Sequence, residues 1–200
     1  MSPSAATRWG GGLTSVAAGL LLLLGHIVNL GGGPEYGTVL GEILVLGAHA
    51  LLVFALVSLW AIQAERSGPL GAVGMVLSVV GTTLNCAAVL AEIAGASGAE
   101  VDAVVSEGAS GTITLLGGLA FLIGLILFGI ATMRAGVLPR LAGALLILGD
   151  IVFAVGTFAG SASLIVEVLG ALITCAAFVW LGLALLSTGD APLRRTARVS

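Results

Sequence analysis

The sequence predicts an all-α integral membrane protein with six transmembrane helices, and three observations support this prediction. The first is composition: 58% of the 200 residues are hydrophobic and only 8% are charged, whereas soluble domains carry about 25% charged residues. The second is length, because six apolar stretches reach the ~20 residues that a helix needs to cross a bilayer. The third is that the seven basic residues, all arginines, lie outside these stretches or at their ends.

The six apolar stretches occupy most of the chain and leave no room for a soluble domain. We expect transmembrane helices near 12–31, 39–62, 70–95, 111–133, 138–159 and 163–187. Residues 1–11 are then a cytoplasmic N-terminal segment, 12–187 form one membrane domain, and 188–200 form a basic cytoplasmic tail. Helices are expected because backbone polar groups in lipid must find hydrogen-bond partners within the protein.

The arginines predict the orientation of the helices. Arg8 precedes the first predicted helix, Arg66 lies between the second and third, and Arg134 and Arg140 flank the connection from the fourth to the fifth. Three more arginines follow the sixth helix, namely Arg194, Arg195 and Arg198. Because cytoplasmic loops carry the excess of basic residues, both termini are expected in the cytoplasm. The lysine-free composition with 31 glycines favours a GC-rich bacterial genome, and hence a plasma membrane.

An internal repeat groups the six helices into three tandem hairpins in one bundle. Three residues around the second-to-third connection match three around the fourth-to-fifth at one constant offset: Arg66, Gly68 and Gly81 against Arg134, Gly136 and Gly149. The even-numbered helices share the similar triplets 46–48, 116–118 and 169–171. On this repeat His26, Thr82 and Asp150 occupy equivalent positions. A chain rich in Gly, Leu and Ala also produces chance matches, so a compositional origin stays open.

Polar residues inside the apolar helices are the candidates for function. An ionisable residue costs ~2.5–3.5 kcal/mol at a helix centre on insertion scales, so such residues usually face the bundle interior. The predicted site residues are Asp150, Glu92, His26, His49, Asn85, Glu42 and Glu167. The fourth helix contributes no ionisable group and is expected to have a mostly packing role. The alternative for Glu42 and Glu167 is that they are simply hydrated at the membrane interface.

These residues predict an outward-opening polar funnel with glutamates near its mouth and Asp150 near its floor. Carboxylates without an intramembrane lysine or arginine suit a small solute or a cation better than an anion. The first functional hypothesis is therefore binding or transport of such a ligand. The connection between the third and fourth helices is expected to be an acidic loop rather than a short helix.

Two other hypotheses stay open. In one, His26 and His49 ligate a b-type haem or another metal, although their estimated depths differ by about 7 Å. In the other, the protein is a non-catalytic subunit or a homo-oligomer packed through glycine faces. Cys86 and Cys175 are expected to be small packing residues. The sequence contains no zinc-protease motif and no P-loop, and it has no basic patch for nucleic acid.

Overall fold

A computed structural model describes residues 4–33 and 36–187, and its regular structure is helical. The elements are α1 (Ala5–Asn29), α2 (Val39–Ala96), α3 (Asp102–Ser106), α4 (Gly108–Ala135), α5 (Arg140–Gly156) and α6 (Ser163–Ser187), with a 3-10 turn at Gly160–Ala162. The predicted helical class is confirmed. Four apolar helical stretches are long enough to cross a membrane: α1, α2, α4, and α6 together with its preceding turn.

The long helix α2 consists of two limbs, 39–67 and 69–96, separated by one non-helical residue. Gly68 has φ 59° and ψ −158°, and Pro69 begins the second limb. Glycine reaches positive φ without a steric penalty, and proline suits the first turn of a helix. The limbs fold back on each other, since His49 of the first contacts Thr82 of the second. A single residue thus makes the reversal for which the sequence predicted a loop.

The helices form a closed ring in the order α1, first limb of α2, second limb of α2, α4, α5 and α6, which returns to α1. Glycines bring neighbouring backbones close together. A Cβ atom on Gly12 of α1 would lie 2.9 Å from the carbonyl oxygen of Gly182 in α6. One on Gly129 of α4 would lie 2.6 Å from the carbonyl oxygen of Gly143 in α5. Such close packing is how helices associate in lipid, where apolar side chains gain little by leaving the solvent.

Three further glycines occupy the same place in three successive hairpins. The hairpins are α1 with the first limb of α2, the second limb of α2 with α4, and α5 with α6. Gly25, Gly81 and Gly149 each pack against the backbone of the second helix of their own hairpin, at Gly41, Phe121 and Thr174 respectively. A Cβ atom on them would lie 2.8 Å from the carbonyl oxygen of Gly41, 2.6 Å from Cα of Phe121 and 2.7 Å from the amide nitrogen of Thr174. The three hairpins therefore close with the same local geometry.

The second helix of each hairpin makes the reciprocal contact through a glycine of its own. Gly41, Gly117 and Gly170 pack against Asn29, Asn85 and Phe153, four residues beyond the first set of glycines. Gly41, rather than Gly47, is thus the structural counterpart of Gly117 and Gly170. The sequence match of 46–48 to 116–118 gives the wrong register for this helix, because the glycine that contacts the partner backbone is what the structure repeats.

Two differences from the sequence prediction concern the start of the first helix and the connection before α4. Helix α1 begins at Ala5, because the Ser4 hydroxyl caps it by accepting a hydrogen bond from the Thr7 amide at 3.2 Å. Arg8 therefore lies inside the first helix and does not precede it. The segment expected as an acidic loop contains helix α3, and Val101 beside it is buried.

The largest apolar core fills one half of the ring, towards the Gly68 reversal. It includes Leu52, Leu56 and Leu59 from the first limb of α2, together with Phe128 of α4 and Phe178 of α6. All five side chains are fully buried. The polar interior therefore lies in the other half of the ring, near the α1–α2 connection.

Candidate binding cavity

A cavity of about 410 Å³ lies inside the ring, between the apolar core and the α1–α2 connection. All seven residues predicted from the sequence line it: His26, Glu42, His49, Asn85, Glu92, Asp150 and Glu167. They come from α1, both limbs of α2, α5 and α6. Further polar lining residues are Asn29, Tyr36, Thr114, Thr157 and Thr174. Tyr36, Thr157 and Leu164, at or beyond helix ends, mark the mouth.

The repeated glycine contacts explain why these side chains meet. The residue after each hairpin glycine, namely His26, Thr82 or Asp150, is turned towards the middle of the ring. His26 and Asp150 line the cavity, and Thr82 is buried beside it. His49 lies one turn deeper than Val45, whose backbone meets Gly25, so His49 lies towards the floor.

Asn29 connects α1 to the start of α2 at the cavity wall. Its Nδ2 atom donates a hydrogen bond of 2.6 Å to Oε1 of Glu42. Its Oδ1 atom accepts from the Thr38 amide at 2.9 Å and from the Thr38 hydroxyl at 3.2 Å. Thr38 in turn caps α2 by accepting from the Gly41 amide at 3.0 Å. Asn29 therefore uses both ends of its amide to fix the position of the Glu42 carboxyl.

Glu42 is also paired with Glu92 of the second limb. The two carboxyl groups lie close enough to interact directly. Glu167 of α6 lies within electrostatic range of both. Glu42 is buried, with 6% of its surface exposed, so it is not the hydrated interface residue of the alternative hypothesis.

His49 is held by Thr82 across the two limbs of α2. Its Nδ1 atom lies 2.7 Å from the Thr82 hydroxyl oxygen, and that hydroxyl donates a hydrogen bond of 3.2 Å to the His49 carbonyl oxygen. The Thr82 hydroxyl thus contacts both the ring and the backbone of His49 and holds the ring in one orientation. The ring also meets Phe121 edge-on, with centroids 5.4 Å apart.

Asp150 differs from the other acidic residues of the cavity. It is 7% exposed, and its Oδ2 atom is buried without a hydrogen-bond donor from any residue that the structure describes. Next to it on the same face of α5, Phe153 meets the His26 ring edge-on, with centroids 4.8 Å apart. A buried polar atom without a partner costs about 1–3 kcal/mol, and Asp150 is also one of the residues that line the cavity.

Helix α4 takes a larger part than the sequence suggested. Thr114, Gly118, Phe121 and Leu125 form its share of the wall. The absence of ionisable residues led to the expectation of a packing role, but uncharged residues complete the cavity. Asn29 and the threonines could have been found as polar residues at helical spacing from predicted ones. Nothing in the sequence distinguished Phe121 or Phe153 from packing residues.

The cavity side chains do not form a metal site of the usual kind. Within 4–33 and 36–187, no three His, Cys, Asp or Glu side chains converge as a ligand set for a metal ion. Both cysteines are free thiols. The arrangement instead offers carboxyl, imidazole and amide groups spread over the wall of a space large enough for a small molecule.

No family model, curated protein or solved structure matches this chain.

Proposed function

We propose that this protein is a six-helix membrane protein that binds a small solute or a cation in an outward-facing intramembrane cavity and transports it. One observation carries the proposal: seven polar residues from five helical segments line a single cavity of about 410 Å³. Placing so many costly polar groups around one space in apolar helices is typical of a ligand or ion pathway. The cavity volume is in the usual range for small-molecule sites.

Six membrane crossings are supported by the division of α2. Each of its limbs, 39–67 and 69–96, is as long as a spanning helix requires. Helix α5 has 17 residues, at the lower end of the spanning range. It packs in the ring between α4 and α6, both of which are long enough to span. A ring in which only some members crossed the bilayer would leave α5 and one limb of α2 without apolar surroundings.

The orientation follows from the arginines. Arg8, Arg66, Arg134 and Arg140 all lie at the helix ends opposite the cavity mouth. The remaining three fall in 188–200, outside the described residues. Under the positive-inside rule the arginine end faces the cytoplasm. The cavity then opens to the outside of the plasma membrane, and the apolar core closes it towards the cytoplasm.

A ligand screen tests the proposal. The full chain, purified in mild detergent, is heated with a panel of metal cations, amines, neutral polar solutes and carboxylates. We expect a cation or a polar neutral solute to raise Tm, because a ligand that binds only the folded state stabilises it. Liposomes that contain the protein should accumulate the same solute.

A matched pair of variants localises the effect. Glu92→Gln should lose the ligand-dependent rise in Tm. Glu65→Gln should keep it, since Glu65 is exposed near Gly68 at the opposite end of the ring. A panel in which no solute raises Tm, or a Glu65→Gln variant that loses the effect equally, would contradict the proposal.

A second candidate function rests on the presence of both histidines in the same cavity wall. A b-type haem or another metal held by His26 and His49 would make the protein a membrane redox protein. Elemental mass spectrometry and a visible spectrum of the purified protein test this. Stoichiometric iron, with an absorption band that His26→Ala and His49→Ala each remove, would replace the solute-binding proposal. Colourless protein without stoichiometric metal would reject the redox alternative.

A further inference from the structure

The four carboxyl groups of the cavity are not equivalent. Glu42 accepts a hydrogen bond from Asn29 and lies beside Glu92. Glu42 therefore has a partner within the protein. Asp150 is as deeply buried as Glu42, yet its Oδ2 atom has no donor among the described residues. Among the buried carboxyl oxygens of residues 4–33 and 36–187, Oδ2 of Asp150 is the one that lacks a partner.

The missing partner is a hydrogen-bond donor. A carboxylate offers only acceptors, and in a water-poor site it pairs with a group that carries positive charge. No lysine or arginine lines the cavity. The two imidazoles do not fill the role, since His49 is engaged by Thr82 and His26 meets Phe153 through its ring. A molecule bound in the cavity can supply such a donor to Asp150, which lines it.

The surroundings of Asp150 favour an organic cation over a metal ion. Calcium takes six to eight oxygen ligands and magnesium demands a near-octahedral set, whereas no three acidic, histidine or cysteine side chains converge in the part of the chain described. Phe121 and Phe153 stand on the wall together with Val45 and Leu125. Aromatic and aliphatic surfaces beside one free carboxyl match a molecule with a cationic head and a hydrocarbon part.

The volume limits the size of that molecule. About 410 Å³ is room for roughly a dozen water molecules at ~30 Å³ each. A short amine fits with some water left around the other polar side chains.

We propose that the cavity binds a small primary ammonium ion, with its N–H groups on the Asp150 carboxylate and its hydrocarbon part against Phe121 and Phe153. This inference rests on the proposed function and names its substrate class. Asp150 acts as the counter-ion. Glu42 and Glu92 form the neighbouring part of the cavity wall.

Three probes of equal chain length test the charge requirement on the wild-type full chain in detergent. They are n-butylammonium, 1-butanol and butyrate, measured by isothermal titration at neutral pH, with Na⁺ and Ca²⁺ as metal probes. We expect n-butylammonium to bind about thirtyfold or more tightly than 1-butanol, the effect typical of losing one partner of a buried charge pair. Butyrate should not bind.

Variants then assign the effect to residues. Asp150→Asn should weaken n-butylammonium binding about thirtyfold or more, whereas Glu65→Gln should leave it unchanged. Phe153→Leu preserves the apolar volume and should weaken it about threefold through the lost cation–π contact. If Asp150→Asn does not fold, the comparison of n-butylammonium with 1-butanol on the wild-type protein still decides whether binding requires the ammonium charge.

The outcomes separate this inference from the function on which it rests. Binding of 1-butanol, butyrate or Ca²⁺ as tight as that of n-butylammonium would overturn the ammonium assignment and leave a solute site. A solute found by the wider screen while n-butylammonium fails to bind would do the same. If no probe and no member of the wider panel binds, both proposals fail.

Discussion

The Nδ1 atom of His49 lies 2.7 Å from the hydroxyl oxygen of Thr82, and this contact joins the two limbs of α2 beside the floor of the cavity. Both residues are buried, at 7% and 0% exposure. The contact spans the Gly68 reversal and holds the imidazole that lines the cavity in one orientation. The contact connects the two limbs and also orients a side chain of the cavity. A variant that removes it therefore tests the described architecture.

Replacing Thr82 with valine should destabilise the protein by about 1–3 kcal/mol, because the shape is kept while a buried imidazole nitrogen loses its partner. Thr83→Val is the matched control. The Thr83 hydroxyl is exposed and bonds only to the Val79 carbonyl of its own helix at 2.7 Å. Unfolding in detergent followed by circular dichroism measures both. Equal losses in the two variants would mean that the contact between the limbs is not what stabilises this region.

The repeated glycines should be intolerant of a methyl group. Gly81→Ala and Gly149→Ala each place a Cβ atom against the backbone of the facing helix, and we expect a cost of about 1–3 kcal/mol from the forced separation. Gly10→Ala is the control, since a Cβ there meets nothing within 4 Å and alanine favours the helix. Reversible unfolding in mixed micelles would show the difference. A stable Gly81→Ala protein would contradict the close approach of the second limb of α2 to α4.

The reversal in α2 depends on a conformation that only glycine adopts easily. Gly68→Asn should destabilise by about 1–3 kcal/mol, because φ 59° with ψ −158° lies in a region that side chains strongly disfavour. Gly136→Asn should cost less. Gly136 has φ 60° and ψ 26°, the left-handed helical conformation that asparagine tolerates at helix ends. Thermal midpoints of the two variants give the comparison, and a larger loss at Gly136 would be inconsistent with the described reversal.

Cysteine accessibility checks the orientation. In a background with Cys86 and Cys175 replaced by alanine, Ser97→Cys lies at the mouth end of the ring and Val137→Cys at the arginine end; both positions are exposed. A membrane-impermeant maleimide added to intact cells should label Ser97→Cys only, because arginine-rich ends stay in the cytoplasm. Both should react after the cells are broken. Labelling of Val137→Cys in intact cells would mean that the orientation is the reverse of the one proposed, with the cavity open to the cytoplasm.

Much of the site was predictable because polar residues are rare in apolar helices. Glu92 and Asp150 could be selected as candidate site residues from their positions within long hydrophobic stretches alone. Their gathering in one cavity depends on rotation about each helix axis, and helical spacing determines faces without saying which face turns inward. The sequence match pairs Gly117 with Gly47, because triplets of Leu, Gly and Ala recur in any chain of this composition. The contact with the partner helix identifies Gly41 as the counterpart instead.

The sequence by itself determined the helical class, the positions of the apolar helices and the unequal distribution of arginine, since each follows from local composition and the cost of polar groups in lipid. Tertiary structure alone decided that Gly68 replaces a loop, that α3 forms, and that α4 supplies a wall of the cavity. It also decided which acidic residue stays unpaired. Asn29 and Glu92 reach Glu42 only after α1 and the two limbs of α2 have packed, and no described residue reaches Oδ2 of Asp150. Such pairing is settled by distances between helices that are far apart in the chain, which no local pattern encodes.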